Sequence, residues 1–205
     1  RGLKVGVVNI TMYRPFPGDL LGSMLRGRRG VAVLERTDQP LAVELPMIRE
    51  IRTAMAQGVE NGRSGNGTLP YPGLASLKPE QVPDFYSGCF GLGSRDLQPG
   101  DIIAAVNNML DDGDRQRQFY LGIEFLEKDT KLPKMQIWQE RIRADYPHVE
   151  NLALRSAGDL DLFPDDTVEL RIHSVGGWGA ITMGKNLAMT AAELLGFNIK
   201  ANPKY

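Results

Sequence analysis

The strongest constraint on this chain is a recurring order of short valine- and isoleucine-rich runs, turn residues and amphipathic stretches. Val5 to Met12 is one compact apolar run and Val31 to Glu35 another, each bounded by glycine, proline or charged side chains as buried strands are. Between them Arg14-Pro15-Phe16-Pro17-Gly18-Asp19 is turn chemistry. Asp19 is placed to cap a short helix through Leu20, Leu21, Met24 and Leu25 that stops near Gly27. Strand, helix, strand in this order predicts a parallel, right-handed crossover.

Further on, Leu45, Ile48, Ile51 and Met55 recur at helical spacing and predict an amphipathic helix that ends near Gly58. Asn61 to Gln98 is rich in Gly, Pro, Ser and Asn and reads as a long irregular stretch. A helix is expected from Pro99, with Ile102, Ile103, Val106 and Leu110 on one face, and a strand over Phe119 to Phe125. Lys128 to Asp165 reads as a linker or bridging arm holding one helix, Lys134 to Tyr146. Val168 to Val175 alternates like a strand, Gly176-Gly177-Trp178-Gly179 turns, and Ala180 to Leu195 is an apolar helix. One such βα unit cannot bury both its faces, so it must pack on something else. The expected fold class is α/β, a three-layer arrangement with a mostly parallel sheet flanked by helices. The expected division is a domain over 1–127, an arm over 128–166, and the opening of a second domain over 167–205.

Composition narrows the function classes. Lys plus Arg total 24 against 25 Asp plus Glu, a formal charge of −1, which suggests neither a nucleic-acid partner nor an acidic tail. No apolar stretch reaches the roughly 20 residues that cross a bilayer, and no secretory pattern opens the chain, so no membrane partner and a cytoplasmic location are expected. The single cysteine, Cys89, excludes an intrachain disulfide, a four-cysteine zinc site and an iron–sulfur cluster held by this chain alone. Because residue 1 is Arg and not Met, the sequence is expected to begin after processing or, in better accord with its motifs, to be a segment of a longer chain.

Among candidate site residues, the glycine turn Gly176, Gly177 and Gly179 can expose backbone N–H groups at a helix start and hold a phosphate, or simply allow tight strand-to-helix packing. Its spacing is neither G-x-G-x-x-G nor a P-loop, Lys185 lying six residues past Gly179. Arg14 follows the first predicted strand and Arg36, Thr37 and Asp38 the second, where doubly wound sheets bind ligands or partners. Pairing across neighbouring loops is the alternative role for Arg14, Arg36 and Asp38. Gly91-Leu92-Gly93-Ser94-Arg95-Asp96 is a polar turn whose Arg95 can contact a distant partner. Cys89 reads as a packed small side chain, His148 and His173 as structural, and Asp159, Asp161, Asp165 and Asp166 as a solvated acidic linker, so no metal is expected.

Taken together, Met12-Tyr13-Arg14-Pro15-Phe16-Pro17, Val33-Leu34-Glu35-Arg36-Thr37-Asp38-Gln39-Pro40 and Gly91-Leu92-Gly93-Ser94-Arg95-Asp96 resemble an internal domain of the pyruvate:ferredoxin or 2-oxoacid:ferredoxin oxidoreductases. That domain is similar to the C-terminal domain of transketolases. The run from Gly176 to Ala188 resembles the start of the family's next domain, gamma, where Gly-Gly-Gln-Gly is the commoner form and Trp178 departs from it. The resemblance implies oxidative decarboxylation of a 2-oxoacid on thiamine diphosphate with magnesium. Electrons pass through iron–sulfur clusters to ferredoxin or flavodoxin, and the product is acyl-coenzyme A.

The family's thiamine motif, Gly-Asp-Gly followed later by Asn, has no counterpart here, since Asn107-Asn108 precedes Asp111-Asp112-Gly113. The segment is therefore expected to bind none of these cofactors alone and to carry no catalytic residue. It is expected to serve as scaffold and interface, with Arg14, Arg36, Asp38 and Arg95 at contacts to the remaining domains or subunits. Gamma is associated with coenzyme A, so the resemblance implies phosphate contact at Gly176, Gly177, Gly179 and Lys185. An independent α/β module that binds a nucleotide or phosphate is the alternative reading.

Overall fold

The computed structural model describes residues 2–39, 41–64, 67–123, 126, 130–158 and 164–201. Two compact units divide the chain, Arg1–Asp159 and Leu160–Tyr205. Of the acidic linker, Asp159 and Asp161 lie outside the described residues, and Asp165 and Asp166 are exposed.

In the first unit, helix α1 (Gly18–Leu25) leads to strand β1 (Gly30–Glu35), α2 (Pro46–Arg63), β2 (Asp84–Cys89), α3 (Pro99–Asn108), β3 (Gln118–Tyr120), α4 (Pro133–Asp145) and α5 (Val149–Leu152). The three strands form an open sheet in the order β1-β2-β3, both pairs parallel, with Gly30 opposite Asp84 and Ser87 opposite Gln118. Alternation along the strands feeds two cores. Val33, Phe85 and Cys89 pack with Leu21 and Leu25 of α1 and with Ile48, Ile51 and Met55 of α2. Tyr86 and Phe119, with Ala32 and Leu34 beside them, pack with Ala104 and Ala105 of α3. Helices thus cover both faces of a parallel sheet, the α/β class expected from the strand and helix order. Fully burying a side chain such as Ile48, which is 0% exposed, stabilises by roughly 1.5–3 kcal/mol.

The central strand, β2, lies inside the stretch read as irregular. Its Asp-Phe-Tyr-Ser-Gly-Cys sequence has a polar residue or glycine at three of six positions, which breaks up the apolar signal, and at Gly88 the neighbours leave no room for a side chain. A Cβ at Gly88 would stand 2.6 Å from both Leu34 Cδ2 and Phe119 Cε2. At the strand's start Asp84 binds Arg117 at 2.9 Å and Arg115 at 2.6 Å, and these guanidiniums, Arg117 first, lower its carboxyl pKa.

Two further corrections concern strands. Val5 to Met12 joins no strand, and Val7 is 91% exposed, although Ile10 packs on the α1/α2 core. Val168 to Val175 likewise forms no strand among the described residues. An extended segment becomes a strand only when another chain segment takes up its N–H and C=O groups. The strand expected over Phe119 to Phe125 is shorter, Gln118–Tyr120, with residues 124 and 125 outside the described set.

Helix α2 does not stop near Gly58 but runs to Arg63. Its glycines permit close approach of the returning chain: a Cβ at Gly62 would lie 2.0 Å from the Leu77 carbonyl oxygen, and Leu77 N–H donates to Gly58 O at 2.8 Å. Helix α1 starts with Asp19 in its first turn, but no side chain caps it. The region read as an arm returns to the sheet, where Ala153 bridges Tyr120 in parallel and Leu154 N–H donates to Tyr120 O at 2.9 Å.

The second unit contains helix α6 (Ala180–Leu195), as the apolar pattern predicts, between left-handed glycines Gly179 and Gly196. None of its residues is buried. No helix among the described residues is long and apolar enough to cross a membrane.

Candidate functional site

The carboxyl ends of β1 and β2 bring two of the sequence motifs together. Parallel strands release their chains on the same side of the sheet, so Arg36 to Asp38 emerges beside Gly91. Arg36 Nε donates to Gly91 O at 3.3 Å. Gly91 has φ +72°, and a Cβ there would stand 2.9 Å from Arg36 Cγ, so both conformation and space require glycine.

Glu35, the last residue of β1, is buried, and its carboxylate accepts the backbone N–H groups of Met47 at 2.8 Å and Ile48 at 3.1 Å. These are orphan donors at the start of α2, whose N-cap residue Leu45 has no capping side chain. The negative charge also meets the positive end of the helix dipole. This role was missed in the sequence, where the absence of Ser, Thr, Asp or Asn before Pro46 was the available signal.

Asp38 accepts the Tyr120 hydroxyl at 3.0 Å, and the Cys89 thiol donates to Thr37 O at 3.1 Å. Burial first, then the Asp38 and Glu35 charges, pushes the Cys89 thiol up to about 12. Burial and the Asp38 hydrogen bond raise Tyr120 as well. A raised folded-state pKa favours the neutral form, so this stabilisation is complete below the unfolded thiol value of 9.0 and is lost as pH climbs toward 12. Between pH 8 and 10.5 the native chain is expected to lose about 1–2 kcal/mol more stability than Cys89→Ala, allowing for partial solvent screening. Urea unfolding at the two pH values measures this, and equal losses would contradict it.

Arg14 reaches Glu50 of α2 at 2.8 Å, and its guanidinium lies 4.2 Å from the Tyr13 ring centroid. The Glu50 hydrogen bond, above all, raises the Arg14 pKa. Arg95 is exposed beyond the single turn Leu92–Ser94, its N–H on Leu92 O at 3.4 Å. Arg14, Arg36 and Asp38 therefore each engage a neighbouring element, and none of them pairs with another.

In the second unit, Gly177 and Gly179 hold φ of +87° and +77°, and no atom stands within 4 Å of a Cβ at Gly176, Gly177 or Gly179. The N-terminus of α6 has no capping side chain, and Trp178 is 78% exposed beside it. Lys185 is exposed on α6, about 9 Å along the axis from Gly179 at 1.5 Å per residue. His148 precedes α5, and His173 is exposed. Among the described residues no three His, Cys, Asp or Glu side chains group to hold a metal ion. A separate cleft of about 510 Å³ lies beside α3, lined by Asn107, Asp112, Asp114 and Arg155 among others, and holds none of the residues at the strand ends.

Residues 1–68 match the family model for pyruvate:ferredoxin oxidoreductase core domain II. The chain is similar to the probable pyruvate-flavodoxin oxidoreductase of Escherichia coli, 34% identical over 124 residues that make up 60% of this chain and 9% of that protein. The pyruvate-flavodoxin oxidoreductase of a Nostoc species is 24% identical over 187 residues, 91% of this chain and 13% of the relative. The pyruvate synthase subunit PorA of Thermotoga maritima is 30% identical over 125 residues, 60% of this chain and 26% of the subunit. The chain thus spans only a small part of the relatives it matches. With β1, α2 and the motif around Arg14 inside the matched region, the chain is similar over residues 1–68 to core domain II of the pyruvate:ferredoxin oxidoreductases.

Proposed function

We propose that this chain is a non-catalytic scaffold and interface segment of a cytoplasmic 2-oxoacid:ferredoxin oxidoreductase of the pyruvate type. The parent enzyme would decarboxylate the 2-oxoacid oxidatively, form acyl-coenzyme A and pass electrons to ferredoxin or flavodoxin. The observation that carries the reading is the state of the polar groups at the strand ends. Glu35 is engaged by α2, Asp38 by Tyr120, and the Cys89 thiol by Thr37 at a pKa of about 12. Groups so engaged position loops and leave neither a thiolate nucleophile nor a free carboxylate base at neutral pH.

Thiamine diphosphate with magnesium is not expected to be held by this segment, whose sequence lacks Gly-Asp-Gly followed later by Asn; among the described residues no three His, Cys, Asp or Glu side chains group together. An iron–sulfur cluster does not fit a lone buried cysteine. The glycine turn does fit a phosphate: the open space beside Gly176, Gly177 and Gly179 adjoins an uncapped helix start, and Lys185 adds a cation further along the helix. Those residues would hold a coenzyme A phosphate, and the coenzyme would supply the thiol that accepts the acyl group. The same geometry favours a second reading, an α/β module that binds a phosphate ligand by itself.

Calorimetric titration tests both. No heat is expected with thiamine diphosphate and magnesium, and binding there would overturn the scaffold reading. Coenzyme A binding that Gly179→Glu abolishes would support the glycine-turn site; binding that survives the substitution would remove it. Pyruvate turnover with coenzyme A is expected only when the remaining regions of the oxidoreductase are present.

A further inference from the structure

Between β1 and α2 the described residues are tied by several hydrogen bonds, yet Leu41 and Val43 turn aliphatic side chains outward. Arg49 Nη2 donates to Gln39 Oε1 at 2.8 Å, Arg52 pairs with Glu44 at 2.8 Å, and Gln118 Nε2 donates to Val43 O. A turn closes within the loop, Ala42 N–H to Gln39 O at 2.9 Å. Leu41 is nonetheless 104% exposed and Val43 85%. A lone exposed leucine on a surface is ordinary, but two aliphatic tips beside hydrogen-bonded backbone leave less chain to be ordered on binding.

Charge sets the chemistry of what fits here. Arg14 and Arg52 are balanced by Glu50 and Glu44. Among the described residues Arg36 and Arg49 meet only the neutral oxygens of Gly91 and Gln39. The other carboxylates at this end turn inward, Asp38 to Tyr120 and Glu35 to the N–H groups of α2. Exposed Leu41 and Val43 thus lie at the same end of the sheet as two guanidiniums that, among the described residues, meet no carboxylate.

We propose that Leu41 and Val43, with Arg36 and Arg49, dock into an apolar pocket rimmed by carboxylates on another region of the parent oxidoreductase. This rests on the scaffold reading above and names the kind of surface that the scaffold engages. Complementary charge at such a rim fixes register and rejects wrong partners.

The test places the photo-crosslinking residue p-benzoylphenylalanine at Leu41 in the assembled oxidoreductase containing this chain, and maps the products by mass spectrometry. The expected product joins position 41 to another region of that enzyme, at an apolar segment flanked by Asp or Glu. Arg36→Glu with Arg49→Glu should reduce its yield on the order of tenfold, while the double lysine variant should retain most of it. Attachment to a second copy of this chain, or a yield unmoved by charge reversal, would overturn the proposal. So would an absence of crosslink while the chain still co-purifies with the other regions, and that result would leave the scaffold reading intact. A chain that does not associate with them at all would overturn both.

Discussion

Glu35→Ala is expected to destabilise the first unit by about 3–6 kcal/mol, enough to unfold much of a chain with ordinary stability. The carboxylate accepts two backbone N–H groups at the start of α2, with Met47 and Ile48 as donors. Ile48 is 0% exposed, so water cannot replace the lost acceptor there. Each unsatisfied buried donor costs about 1–3 kcal/mol, and loss of the charge at the helix start adds to this. Glu35→Gln keeps the volume and one acceptor oxygen, so about half of the penalty is expected. Urea unfolding followed by far-ultraviolet circular dichroism measures both variants. A loss under about 1 kcal/mol for alanine would mean that α2 is started by something else.

Asn61→Ala carries the second large effect, about 2–4 kcal/mol from three lost hydrogen bonds in a buried place. Asn61 is 2% exposed; its Nδ2 donates to Tyr71 O at 2.8 Å and Leu74 O at 2.9 Å, and its Oδ1 accepts Tyr71 N–H at 2.9 Å. One side chain thereby fastens the returning chain to α2, the same approach that Gly58 and Gly62 permit. Besides the fall in stability, faster proteolysis is expected within residues 67–77, since their backbone groups would be freed locally before global unfolding. Unchanged proteolysis alongside reduced stability would place the effect in α2 itself.

Neither residue was singled out in the sequence, and the reason is the same for both. Glu35 and Asn61 act on backbone groups 10 to 13 positions away in sequence, through the fold. A polar residue beside an apolar run gives no local sign of such a partner. Arg14, Arg36 and Asp38 were legible as polar groups at strand and turn ends because turn chemistry is local. Their partners, Glu50, Gly91 and Tyr120, were not.

The sequence alone determined most of the helices and the motifs, though not the end of α2 or the short α5. The helix of Ala180–Leu195 was read at its observed limits, and those from Pro99 and near Lys134 close to theirs, because each α-helical hydrogen bond joins residues four apart and the pattern that marks a helix is therefore local. The family could be read as well, since its motifs are short contiguous runs. Only the tertiary structure decided the strands. Val5 to Met12 and Val168 to Val175 have strand-like composition and form none, whereas Asp84–Cys89 lacks that composition and is the centre of the sheet. A strand's hydrogen bonds and packing partners come from distant segments. Leu34 and Phe119, which make Gly88 necessary, are therefore what made β2 look like a loop.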